Sequence, residues 1–176
     1  LLETATATVA DGAVLLKNEG DLLPLNPGAK VAFYGRRSRE LLEYGSGSTA
    51  VPTMIHTNPY DEVKARYSPD AAFEVMDGVD TVIYTVTAPA GENVDRESME
   101  IEEADRKHLP EVLRAAKEKG LHTVVLLNIS GPVEMEDWLS YADSVLSIFI
   151  PGCMGGRAAA DLLFGAREPG GRLPVS

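Results

Sequence analysis

Residues 123–129 read TVVLLNI, and this stretch decides the fold class. Four consecutive apolar residues, from Val124 to Leu127, are typical of a strand that is covered on both faces. Similar short runs alternate with segments of helical character, which predicts an α/β fold: an open, mostly parallel sheet with helices on both faces, layered as in flavodoxin. The predicted strands are Lys30–Tyr34, Ala71–Val75, Thr81–Thr87, Thr123–Ile129 and Val145–Ile150. The predicted helices are Thr4–Lys17, Arg39–Tyr44, Pro59–Tyr67, Ile101–Lys119, Met135–Tyr141 and Gly155–Phe164.

Composition narrows the range of functions. The chain has 176 residues and a formal net charge of −11, a surface that disfavours nucleic acid as a partner. Its apolar runs are too short to span a bilayer, so no membrane partner is predicted. The single cysteine and three scattered histidines show no ligand spacing, and neither a metal nor a cofactor is predicted. The first residues do not read as a signal peptide, and the compartment stays open between cytoplasmic and secreted.

The loop Ala88–Glu100 (APAGENVDRESME) is the most informative candidate for chemistry. It follows a predicted strand, and the ligand sites of open parallel sheets lie where the strands end. Glu92 stands beside Gly91, where the backbone bends freely. Its carboxyl could act as a general acid if a neighbouring surface excludes water and raises its pKa. The alternative is a solvated acidic loop.

A second loop, Tyr44–Val51 (YGSGSTAV), alternates glycine with serine. Such a loop can cradle a phosphate with its backbone N–H groups, but no Lys-Ser/Thr pair follows, as a P-loop requires. It can equally offer hydroxyls and amides to a sugar, or serve only as a flexible connector. Arg36 and Arg37 follow the first predicted strand. They could bind an anion, but a solvated or salt-bridged surface pair is the preferred interpretation.

The order of several motifs resembles the second domain of glycoside hydrolase family 3 enzymes. The opening ADGAVLLKNEGDLLPL (Ala10–Leu25) and the strand KVAFYG (Lys30–Gly35) resemble the start of that domain. The segments GSGS (Gly45–Ser48) and GENVDR (Gly91–Arg96) are similar to its Gly/Ser-rich segment and its acidic loop. The ending PGCMGGRAAADLLFGAREPGGRLPVS (Pro151–Ser176) is very like its closing signature, although Cys153 stands where Gln or Glu is commoner in the family.

This resemblance implies a six-stranded α/β sandwich that packs against a (β/α)8 barrel, with the substrate pocket between them. The barrel would supply the Asp nucleophile, and the second domain often supplies the general acid/base of a retaining mechanism. Carried over by residue, Glu92 is the acid/base candidate, with Asp95 and Arg96 as supports that could form an ion pair. The pocket-rim candidates for substrate binding are Ser46, Gly47 and Ser48.

The sequence therefore predicts a leading helix and linker over residues 1–29 and one α/β sandwich domain over residues 30–176, lacking the barrel. The predicted function is the second domain of a retaining β-glycosidase acting on β-glucosides or related sugars. Its partners would be the barrel of the same full-length chain and a carbohydrate substrate. Two alternatives stay open: a flavodoxin-like module that binds a phosphate or nucleotide, and a structural domain that only covers a barrel.

Overall fold

The computed structural model describes residues 1–92 and 95–174. These residues form a six-stranded, mostly parallel sheet with helices on both faces, which confirms the predicted fold class. The strands are β1 (Val14–Asn18), β2 (Val31–Tyr34), β3 (Ala72–Phe73), β4 (Thr81–Ala88), β5 (His122–Ile129) and β6 (Ser144–Ser147). The helices are α1 (Leu2–Gly12), α2 (Pro59–Arg66), α3 (Glu103–Glu118) and α4 (Gly155–Leu163).

The strand order is β1-β6-β5-β4-β2-β3. The two longest strands, β4 and β5, lie at the centre and pair in parallel from Thr81↔His122 to Ala88↔Ile129. Every residue of β4 is buried, and so is every residue of β5 after His122. The continuous apolar runs arise because successive side chains point to opposite faces and both faces are covered.

Each face of the sheet has its own core. On one face, Ile83, Val124 and Leu126 pack with side chains from α1, α2 and α4. On the other face, Tyr84 and Val125 pack against α3. The remaining members of the α3-side core include Val82, Leu109, Leu113, Leu127 and Trp138, which is only 3% exposed.

The prediction of one helix over Thr4–Lys17 is wrong after Gly12. Helix α1 ends there, and β1 follows as an edge strand that runs antiparallel to β6, with Val14 opposite Ser147. Glycine is a poor helix former, and Val14 is β-branched, so the backbone gains more from the β6 ladder than from a longer helix. The leading segment thus adds β1 to the five strands predicted from the sequence.

Two shorter predicted helices are also wrong. Arg39–Tyr44 contains no helix, because the N–H and C=O of Leu42 both bond to the Asn128 side chain instead of to neighbouring turns. Within Met135–Tyr141 only the 3-10 turn Leu139–Tyr141 forms. Helices α2, α3 and α4 match their predictions closely, and α2 begins where the Asn58 side chain accepts the Asp61 N–H at 2.8 Å.

The strand order creates a topological switch point between β2 and β4. The chain passes from β2 outward to β3 and then returns to add β4 on the other side of β2. The loops that leave the ends of β2 and β4 consequently diverge and open a crevice, which is where ligands of such sheets bind. These two loops carry the Gly/Ser segment and Glu92.

Candidate functional site

The structure brings Glu92 and the Gly/Ser segment into direct contact. Glu92 lies four residues beyond the last residue of β4, and its Oε2 accepts the backbone N–H of Ser48 at 2.6 Å. Gly47, the preceding residue, has a φ of +67°, a conformation that favours glycine. A Cβ at Gly47 would lie 2.8 Å from Glu92 Oε2, so a glycine is needed for both reasons.

A second close approach joins the same two loops. A Cβ added to Gly91 would overlap the Ser46 hydroxyl, and one added to Gly45 would lie 3.6 Å from Ala90 O. Gly91 therefore allows the two loops to lie against each other, whereas the distance at Gly45 is an ordinary contact that would tolerate a Cβ on that side. We call residues 44–51 the Gly/Ser loop and residues 89–102 the acidic loop.

The electrostatics of Glu92 differ from the sequence-based expectation. The carboxylate is exposed, and Ser48, through its hydroxyl and its backbone N–H, lowers the pKa of Glu92 more than burial raises it. A general acid at neutral pH needs the opposite shift. Glu92 in this chain is therefore an anion, and a raised pKa requires a covering surface from elsewhere.

The buried Asn128 side chain holds the base of the Gly/Ser loop. Its Oδ1 accepts the Leu42 N–H at 2.6 Å, and its Nδ2 donates to Leu42 O at 3.0 Å and to Phe149 O at 2.8 Å. Asn128 is not among the site residues predicted from the sequence. The available signal is an amide in the otherwise apolar run TVVLLNI, because a buried amide needs partners.

Asp95 and Arg96 do not pair with each other among the contacts that the structure describes. Asp95 is exposed, whereas Arg96 Nη1 donates to Pro132 O at 2.7 Å. Pro132 belongs to the loop that follows β5, so Arg96 ties the acidic loop to its neighbour along the sheet edge. The anticipated ion pair with Asp95 is not among the described contacts, and the supporting role of Arg96 stays a prediction.

Arg36 and Arg37, which follow β2, form salt bridges with acidic side chains. Arg37 Nη2 lies 2.5 Å from Glu102 Oε1, and Arg36 Nη2 lies 3.3 Å from Glu102 Oε2. The salt-bridged interpretation of this pair therefore fits the structure. The Ser48 N–H that could face a phosphate faces a carboxylate, which would repel an anionic ligand.

No metal site or membrane segment emerges from the part of the chain that the structure describes. Residues 1–92 and 95–174 contain no group of three or more His, Cys, Asp or Glu side chains placed to hold a metal ion. In the same ranges, no helix combines the length and the apolar character needed to cross a bilayer.

The fold is that of an α/β domain present in solved β-glucosidases. The chain superimposes on β-glucosidase 3B from Thermotoga neapolitana in complex with glucose, with a TM-score of 0.82 and 23% identity over 94% of this chain and 29% of that one. The β-glucosidase from Listeria innocua in complex with isofagomine gives a TM-score of 0.82 and 23% identity, covering 95% of this chain and 26% of that one. At this identity the likeness establishes the fold alone.

The family follows from the sequence. The profile of the Glycosyl hydrolase family 3 C-terminal domain matches residues 13–176, and this chain belongs to that family. Thermostable beta-glucosidase B of Acetivibrio thermocellus is 31% identical over 96% of this chain and 25% of the relative. Probable beta-glucosidase F of Emericella nidulans is 29% identical over 98% of this chain and 24% of the relative. The chain thus spans about a quarter of the length of these relatives.

Proposed function

We propose that this chain is the second domain of a retaining β-glycosidase and that Glu92 is its general acid/base. The observation that carries the proposal is the 2.6 Å contact between Ser48 N and Glu92 Oε2 at the switch point of the sheet. It gathers a carboxyl group, two serine hydroxyls and exposed backbone in one place. The matched relatives include proteins named beta-glucosidases, and these names support a β-glucoside or a related sugar as the substrate class.

The chemistry requires two carboxyl groups about 5–5.5 Å apart. In the first step, Glu92 gives its proton to the glycosidic oxygen as the C–O bond breaks, and a second carboxylate attacks the anomeric carbon. In the second step, ionised Glu92 takes a proton from the water that displaces this carboxylate from the sugar. We place the second carboxylate on a (β/α)8 barrel in the remainder of the full-length polypeptide.

The exposed position of Glu92 supports this division of labour. A carboxyl whose pKa is lowered by Ser48 cannot protonate a leaving group efficiently near neutral pH. Packing a second domain over Glu92 would remove water from it, and desolvation raises the pKa of a carboxyl group. The 176-residue chain alone is therefore expected to show no measurable hydrolysis of aryl β-glucosides, and vigorous turnover by it would contradict the proposal.

The other site residues have supporting roles in this proposal. Ser46 and Ser48 offer hydroxyls at the rim of the pocket, and Gly47 allows the loop to approach Glu92. Arg96 holds the acidic loop through Pro132, and the exposed Asp95 is available to the covering domain or to the sugar.

The test uses the full-length enzyme with Glu92→Ala. Aryl glycosides with poor leaving groups should lose about 10²–10⁴-fold in kcat/KM, the usual contribution of general acid catalysis, whereas good leaving groups should lose much less. Added azide should restore part of the activity and yield the glycosyl azide. The matched control is Glu97→Ala, which removes another exposed carboxyl from the same loop and should leave activity near wild type. Equal losses for all leaving groups would remove Glu92 from the role.

A further inference from the structure

Asn128 is a fully buried polar residue near the end of β5, one of the two central strands. Its side chain has two N–H donors, and both are used, one on Leu42 O and one on Phe149 O. Its oxygen accepts the Leu42 N–H at 2.6 Å. The hydrogen bonds of this buried amide join β5 to the two loops that follow β2 and β6.

The two site loops begin on either side of this residue. Leu42 lies six residues before Ser48, and the segment between them contains no regular helix or strand apart from the start of a 3-10 turn. On the other side, Thr87 of β4 donates its hydroxyl to the backbone carbonyl of Asn128 at 2.6 Å, one residue before that strand ends. The acidic loop then leads from Ala88 to Glu92. The Asn128 side chain therefore holds the origin of the Gly/Ser loop against β5, and the main chain of β5 is joined to the end of β4, where the acidic loop begins.

We propose that Asn128 is a positioning residue that fixes the base of the Gly/Ser loop against the end of β4, so that Ser48 meets the Glu92 carboxylate. The catalytic consequence rests on the function proposed above for Glu92. Without the amide, the N–H and C=O of Leu42 and the C=O of Phe149 would lose their partner. A buried backbone group without a partner is costly, so the loop would shift until water reaches these groups.

A matched variant at the other end of β5 distinguishes the positioning role of Asn128 from a purely structural role. Thr123 is also fully buried in β5, donating its hydroxyl to Tyr141 O at 2.7 Å and accepting the Asp143 N–H at 3.1 Å. Thr123→Val removes these bonds far from the site loops. Both variants should lower the melting temperature, but only Asn128→Ala should change Glu92.

The first measurement is a carboxyl carbon NMR titration of Glu92 in the 176-residue chain. Asn128→Ala should raise the pKa of Glu92 towards that of an unperturbed glutamate, because the Ser48 contact that lowers it is lost. Thr123→Val should leave the titration unchanged. If Asn128→Ala does not fold, Asn128→Ser, which can replace only part of the hydrogen bonding, takes its place. An unchanged Glu92 titration in the folded Asn128 variant would overturn the positioning role.

The second measurement is the leaving-group dependence of the full-length enzyme. Asn128→Ala should lower kcat for poor leaving groups by about ten- to hundredfold, the loss that a displacement of about 1 Å can cause, and affect good leaving groups less. If Glu92→Ala is selective for poor leaving groups and Asn128→Ala is not, the positioning role fails. If Glu92→Ala is not selective either, the proposed acid/base function fails, and the titration alone decides the link between Asn128 and Glu92.

Discussion

Replacing Gly47 with alanine should disconnect Glu92 from the Gly/Ser loop while leaving the fold intact. Gly47 has a φ of +67°, and an alanine in this conformation costs about 1–2 kcal/mol. For a chain of this size each kcal/mol corresponds to about 2–4 °C, so the melting temperature should fall by roughly 2–8 °C. The new Cβ would lie 2.8 Å from Glu92 Oε2 and 2.9 Å from Glu92 Cβ. Rotation of the exposed Glu92 side chain relieves the contact with Oε2, and a shift of the exposed acidic loop is needed to relieve the contact with Cβ.

The control is Gly78→Ala. Gly78 has a φ of +77°, and a Cβ there meets nothing within 4 Å, so this variant carries the backbone strain without the collision. The two variants should melt at similar temperatures and differ in the titration of Glu92. In Gly47→Ala the pKa of Glu92 should rise, since the hydrogen bonds from Ser48 that lower it are lost. If Glu92 titrates identically in wild type and in Gly47→Ala, the contact that underlies the proposed site does not exist in solution.

Two further predictions concern stability. Gly156→Ala should destabilise the chain far more than Gly12→Ala, because a Cβ at Gly156 would overlap the backbone of Asn58, whereas one at Gly12 meets nothing within 4 Å. Equal midpoints of unfolding in urea for the two variants would contradict this packing. Asp105→Asn should raise the melting temperature at neutral pH, because burial raises the pKa of Asp105 while an amide can still accept the Tyr84 hydroxyl, now 2.8 Å from the carboxylate. Because the pKa of Asp105 is raised in the folded state, the wild type loses stability as the pH rises through that pKa, by about 1.4 kcal/mol per unit of difference between the folded and unfolded pKa values. The stability gained by Asp105→Asn should therefore vanish in acid. An equal gain at pH 3 and pH 7 would refute the burial argument.

Much of the sheet could be predicted because its central strands are apolar on both faces. The runs around Ile83 and Leu126 leave few other arrangements, and Asn58 next to Pro59 marks the start of α2. The meeting of Glu92 with the Gly/Ser loop was accessible too, since loops after parallel strands share one edge of a sheet.

The remaining features depend on contacts that no local pattern encodes. Val9, Ala13 and Leu16 have the spacing of one helix face, which hides the end of α1 at Gly12, and the partner of β1, β6, lies far along the chain. The side-chain partners of Asn128 are backbone groups of two distant loops. The direction of the pKa change at Glu92 depends on where the Ser48 N–H points, which the sequence does not specify.

The pairing of β1 with β6 has a consequence for how the domain matures during synthesis. Among the six strands of this sheet, Val14–Asn18 is synthesised first, yet its neighbour in the sheet, Ser144–Ser147, is synthesised last. Contacts between such distant segments form slowly, and an unpaired strand is prone to join another chain. β1 therefore cannot pair with β6 until almost the whole of this domain has been translated, and during that interval its unpaired edge favours association with another chain.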